Sequence, residues 1–191
     1  FRPANPDVPL AYPFVAENGV SPNQLQTTID VPSGEVLSAL QDNWSLVRKQ
    51  ADIWLVFDVS GSMTTDDRIG QAREAGLAFL EQMPPTNRVG LITFSDSAEV
   101  RVQMDILETN EQFVRSNIQS LRADGGTELY GALLQALELA NENPDEDRIR
   151  AIVLLSDGEH TGDANITVGD VTAAIDGSRD TLNPVIVIPV A

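Results

Sequence analysis

The chain contains no cysteine, a single lysine and a single histidine, Lys49 and His160, in 191 residues. The missing cysteines exclude a disulfide framework and any thiolate metal site, so a metal would have to be held by oxygen or by that one imidazole. No apolar run approaches the roughly 18 residues that a membrane-spanning helix needs. Secretory signal, internal repeat and low-complexity tract are all lacking in the sequence, and it has no phosphate-cradling P-loop. Positive charge is scarce too: 12 basic residues stand against 29 acidic ones, a formal net charge of −17. Such a balance repels nucleic acid and anionic lipid head groups and concentrates cations near the surface, although most of the excess reads as an ordinary solvated face. With 42% hydrophobic residues, the length suits one α/β domain plus an appendage.

Residues 1–32 carry Pro3, Pro6, Pro9, Pro13, Pro22 and Pro32 with little periodicity, and read as irregular extended backbone. Ser33 is placed to cap a short helix bearing Val36, Leu37, Leu40, Trp44 and Val47. Residues 1–50 are therefore expected to form a segment preceding the main domain, and residues 51–191 the domain itself. The start at Phe1 and the abrupt end just beyond the last strand, at Ala191, suggest a piece of a longer polypeptide.

From Ala51 the pattern alternates strand and helix. Ile53-Trp54-Leu55-Val56-Phe57 is a continuous apolar run, as expected of a central strand covered on both faces. Ile69, Ala72, Gly76, Phe79, Leu80 and Met83 form one helical stripe, ended by Pro84-Pro85. Val89 to Phe94 reads as the next strand, and Glu99 to Met104 as a short antiparallel partner at the sheet edge. Thr109 and Gln112 suggest a capping box for a helix burying Phe113, Val114, Ile118 and Leu121. A longer helix follows Gly125-Gly126, with Leu129, Ala132, Leu133, Ala136, Leu137 and Ala140 aligned. Ile152 to Leu155 reads as a second central strand, Thr167 as the cap of a helix containing Val171 and Ile175, and Val185 to Val190 as a buried final strand. This alternation predicts a mostly parallel sheet with helices on both sides.

Ligands of open α/β sheets bind beyond the carboxyl ends of the strands. Asp58-Val59-Ser60-Gly61-Ser62 follows the first strand, Ser156-Asp157-Gly158 the later central one, and Gly125-Gly126-Thr127 precedes the long helix. Two carboxylates and three hydroxyls at one edge form an oxygen-only donor set suited to a hard cation. Magnesium fits it, because five protein oxygens leave an octahedral position for an outside ligand, and two aspartates balance its charge. Taken singly, Asp58 and Thr127 also read as helix caps, and Gly61 and Gly126 as turn residues. His160, Glu159 and Asp163 read as solvated rim residues, and the glycosylation-type triplets Asn43-Trp44-Ser45 and Asn165-Ile166-Thr167 as chance matches.

Asp-x-Ser-x-Ser after the first strand, a threonine after two glycines, and Asp-Gly after a Leu-Leu strand resemble the metal-ion-dependent adhesion site of von Willebrand factor A domains. The resemblance runs from about Asp52 to Ala191. It implies a Rossmann-like fold with Asp58, Ser60, Ser62, Thr127 and Asp157 around a magnesium ion (manganese and calcium being alternatives), and the open position taken by an Asp or Glu of a protein partner. It also implies an extracytoplasmic, bacterial-type binding module rather than an enzyme. The family usually continues with a further helix and strand that this sequence lacks. Phe1-Arg2-Pro3-Ala4-Asn5-Pro6 and the helix after Ser33 also resemble the tail of solute-binding proteins, implying such a domain upstream.

Two other classes compete. Members of the same family serve intracellular ring ATPases of the chelatase type, where the domain would be a metal-holding partner subunit. Magnesium-dependent phosphatases also place an aspartate after the first strand, but they need an acid where this chain has Ser60 and a cation on the phosphate, and Lys49 lies before the strand. A serine hydrolase built from Ser60 or Ser62 with His160 lacks the flanking glycines of a nucleophile elbow.

Overall fold

The computed structural model describes residues 33–35, 38 and 49–190, apart from 143, 159, 164 and 179–182. The chain divides into two units, Phe1–Arg48 and Lys49–Ala191. In the first, Gly34, Glu35 and Ser38 are helical. The irregular stretch expected before Ser33, and the apolar stripe from Val36 to Val47, fall outside the described residues.

The second unit is built on a five-stranded sheet of order β3-β2-β1-β4-β5. Its strands are β1 (Gln50–Asp58), β2 (Arg88–Phe94), β3 (Ala98–Ile106), β4 (Arg148–Leu155) and β5 (Val185–Val190). All neighbours run parallel except β2 and β3, the antiparallel pair at one edge. The helices are α1 (Arg68–Gln82), α2 (Leu107–Ser120), α3 (Leu129–Glu142) and α4 (Val168–Gly177). None of the helices described is long and apolar enough to cross a membrane.

The unbroken apolar run of β1 is explained by its central place. Successive side chains of a strand point to opposite faces, and here both faces are covered. Ile53, Leu55 and Phe57 pack with Ile69, Ala72 and Leu80 of α1 and with Val114 and Ile118 of α2. Trp54 and Val56 pack on the other side with Leu129, Ala132, Leu133 and Leu137 of α3 and with Val171 of α4. Each such buried side chain contributes about 1.5–3 kcal/mol. Gly76 sets how closely α1 lies on the sheet, for a Cβ there would stand 2.4 Å from Cζ of Phe57.

Three local expectations give way. Val185 to Val190 is not a buried strand but an edge strand, with Ile186 and Ile188 each 45% exposed and Val190 41%. Composition made it look central; its neighbours decide otherwise, because it pairs with β4 alone. Phe113 is 57% exposed, since the stripe of α2 that faces the sheet is Leu107, Val114 and Ile118 and Phe113 lies about 100° round the helix from Val114. The capping box expected at Thr109 and Gln112 does not form: α2 begins at Leu107, and the Thr109 hydroxyl donates to the Ile106 carbonyl. The first motif itself runs into short 3-10 turns, Gly61–Asp67, broken at Thr65 and Asp66, which lead to α1. The capping box at Thr167, by contrast, is complete, with Asp170 as its reciprocal partner.

Candidate metal centre

The sheet brings the expected residues to one edge. Asp58 is the last residue of β1, Asp157 lies two residues beyond β4, and Thr127 lies two residues before α3. Hydrogen bonds join the loops that carry them. The backbone N–H of Val59 donates to Phe94 O at 2.8 Å, that of Gly61 to Gly125 O at 2.9 Å, and that of Asp124 to Val59 O at 2.8 Å. Gly125 takes a φ of +87°, a conformation that suits glycine. The Gly126 N–H donates to Oδ1 of Asp96 at 2.7 Å. Thr127 is strapped on its other side: its N–H donates to Oγ1 of Thr161 at 3.1 Å, and Thr161 N donates back to the Thr127 carbonyl at 3.0 Å.

At the centre, Asp58 is fully buried, as is Ser60, and Thr127 is 4% exposed. Asp58 Oδ1 accepts from Ser60 N at 2.9 Å, and Oδ2 accepts from the Ser156 hydroxyl at 2.7 Å. Two bonds do not exhaust a carboxylate, which offers about four lone-pair positions. Among the described residues no basic side chain forms an ion pair with Asp58. Burying an ionised carboxylate without a countercharge is costly.

The hydroxyl oxygens of Ser60 and Ser62 lie 3.0 Å apart and share one hydrogen bond. Adjacent oxygens of an octahedron with 2.0–2.1 Å bonds are about 2.9 Å apart, so the two hydroxyls already have the spacing of an octahedral edge. No group of three or more His, Cys, Asp or Glu side chains suited to a metal occurs among the described residues. Any ion at this edge therefore depends on hydroxyls. The donor set consists of oxygen only, which fits magnesium, manganese or calcium.

Asp157 is the fifth expected residue, its side chain 6% exposed, and its Oδ2 accepts from Nη1 of Arg68 at 2.7 Å. Sequence reasoning missed that arginine, as well as Ser156 and Thr161. Ser156 stands inside the quoted motif, yet its bond to Asp58 crosses 98 positions and has no local signal. His160 is not simply solvated: its ring stacks on Tyr130, centroids 3.8 Å apart, and its Nδ1 is buried with no hydrogen-bond partner among the described residues. Asp96, Asp124 and Asp163 are exposed around the edge, where they favour an approaching cation.

The von Willebrand factor type A domain model matches residues 53–160. Inter-alpha-trypsin inhibitor heavy chain 4 of Mus musculus is 34% identical over 136 residues, 66% of this chain but 14% of that protein. The chain thus spans about one seventh of the length of this curated relative. Among solved structures, a von Willebrand factor type A protein from Catenulispora acidiphila superposes with a TM-score of 0.59 at 20% identity, covering 75% of this chain and 34% of that one. The pilus adhesin SpaC from Lactobacillus rhamnosus GG, in its open conformation, gives a TM-score of 0.52 at 28% identity, covering 60% of this chain and 15% of that one. Sheet order, helix placement and the matched stretch agree: the chain belongs to the von Willebrand factor type A domain family.

Proposed function

We infer that this domain is a binding module that holds one divalent cation at the carboxyl edge of its sheet and uses it to grip an acidic side chain of a protein partner. Asp58, Ser60, Ser62, Thr127 and Asp157 would hold the ion, directly or through water. Magnesium is the favoured ion, with manganese and calcium as alternatives. When bound, the cation supplies an electrophilic position for an outside oxygen.

The observation that carries this reading is Asp58, a fully buried carboxylate with both oxygens engaged by neutral donors and no basic partner among the described residues. A cation is the missing countercharge. The hydroxyls of Ser60 and Ser62 add ligands without adding charge, so an ion balanced by two aspartates still attracts a partner's Asp or Glu. Electrostatics disfavours nucleic acid as that partner, given the net charge of −17. The pilus adhesin among the structural relatives supports an extracytoplasmic, adhesive setting.

Enzymatic use of the same residues finds less support. The Ser60 hydroxyl is paired with that of Ser62, while the ring of His160 is stacked on Tyr130. The Lys49 ammonium donates to the Glu146 carbonyl at 3.0 Å, at the amino end of the sheet and away from Asp58.

Thermal unfolding in chelator, in magnesium and in manganese tests the reading. A cation at about one hundred times its dissociation constant adds roughly 2.7 kcal/mol. That gain is expected in the parent and absent in Asp58→Ala. A parent whose unfolding is the same in chelator and in millimolar magnesium and manganese would sink the proposal.

A further inference from the structure

Arg68 lies at the amino end of α1, the wrong end for a cation. The first turn of a helix carries the positive pole of the peptide dipoles and unpaired N–H groups. α1 has no acidic residue in that turn, and no side chain caps it. The carboxylate of the N-cap residue Asp67 lies over Gly70 of that turn, and from across 89 positions of sequence Asp157 places Oδ2 2.7 Å from the guanidinium. The pair is asymmetric: the Asp157 side chain is 6% exposed and that of Arg68 is 42% exposed.

The backbone before Arg68 is also unusual. Asp66 and Asp67 adopt φ of 51° and 54°, consecutive left-handed residues that are not glycine. Such conformations are disfavoured for L-residues and collect in segments that change state. This stretch starts at Gly61 and contains Ser62, so a candidate metal ligand and the arginine sit at opposite ends of one short segment. Beside the pair lies a cavity of about 510 Å³, lined by Met63, Gln71, Leu155 and Val190 as well as by Arg68 and Asp157. It gives the guanidinium room to withdraw.

We propose that Arg68 is a built-in cation that sits at the Asp157 corner of the site and opposes metal uptake by its charge. This rests on the metal reading above and adds an internal competitor to it. The guanidinium and a dication would share one carboxylate, and their mutual repulsion has to be relieved by movement of the arginine. Metal uptake is thereby coupled to the segment from Gly61 to Arg68, and metal affinity is set lower than the five oxygen ligands alone would give.

The test is magnesium titration calorimetry together with thermal unfolding in chelator, on the full chain as parent, Arg68→Gln, Arg68→Lys and Asp58→Ala. Arg68→Gln is expected to bind magnesium about five- to tenfold more tightly. In chelator it should melt about 2–4 °C lower, because Asp157 loses its countercharge. Arg68→Lys keeps the charge and should stay within about twofold of the parent. If the parent binds magnesium and Arg68→Gln binds it no more tightly, or if Arg68→Lys tightens by as much as Arg68→Gln, the competitor role is overturned and the metal site stands. A parent that takes up no magnesium, like Asp58→Ala, overturns both.

Discussion

The two ends of the sheet each hold an aspartate, partly buried at one and fully buried at the other, and they treat it in opposite ways. At the amino end, Asp52 lies in register between Arg88 of β2 and Arg150 of β4. Its Oδ1 accepts from Nε of Arg148, and its Oδ2 lies 3.4 Å from Nη1 of Arg88. Arg148, 7% exposed, also donates to Gln50 Oε1 and to the carbonyls of Ala51 and Thr86. At the carboxyl end, Asp58 is more deeply buried and receives, among the described residues, an amide N–H and a hydroxyl. At the amino end the charge of the Asp52 carboxylate is met by a lock of the protein's own arginines, although the neighbouring Arg150 keeps a buried Nε without a hydrogen-bond partner among the described residues. On the proposed reading the other end leaves a charge for an external cation to neutralise, so that the site is marked by an incomplete account of charge and not by the number of acidic residues.

The largest effect should come from breaking the lock. Arg148→Met leaves the Asp52 carboxylate to a weaker pair and removes donors from Gln50, Ala51 and Thr86. Taking one partner from a buried ion pair costs about 3–5 kcal/mol. Urea unfolding should show a loss of that size, equal in magnesium and in chelator. If instead the loss depended on magnesium, the two ends would not be independent.

Asp58→Asn should do the reverse. It removes a buried charge without a countercharge and retains an amide that can bond to Ser60 N and Ser156. In chelator the variant is expected to unfold within about 1 kcal/mol of the parent, or above it. The magnesium-dependent gain of roughly 2.7 kcal/mol at about one hundred times the dissociation constant should be lost. A loss of several kcal/mol in chelator, matching that of Arg148→Met, would make Asp58 an ordinary structural residue and erase the contrast.

The contrast is only half visible in the sequence. Ile53 to Phe57 declares a strand buried on both faces, and the stripes of α1 and α3 declare the helices that cover it, because these patterns are local. Asp58, Ser60, Ser62, Thr127 and Asp157 could be picked out because each closes or opens such an element. Burial of β5 could not be read, since it depends on whether a further neighbour lies beside a strand, and Val185 to Val190 has the same composition in either case. Nor could the Arg68–Asp157 or Arg148–Asp52 pairs be read, each joining residues about ninety or more positions apart. Sequence spacing places a carboxylate at an edge. It does not say which cation, if any, the protein supplies for it.

The smallest effect separates the two arginines of the lock. Arg88 has a side chain 38% exposed and reaches Asp52 at 3.4 Å and Asp145 at 3.7 Å, longer contacts in a wetter place than that of Arg148. Half-exposed pairs of this kind contribute about 0.2–1 kcal/mol, because water and salt screen them and both side chains lose freedom. Arg88→Gln should therefore cost no more than about 1 kcal/mol in urea unfolding, and that cost should shrink further in 1 M salt. Arg148→Met should retain nearly all of its loss in the same salt. If the two variants proved equal in size and in salt response, Asp52 would be held by a diffuse basic patch and not by one buried partner. The amino end of the sheet would then no longer serve as the closed counterpart of the carboxyl end.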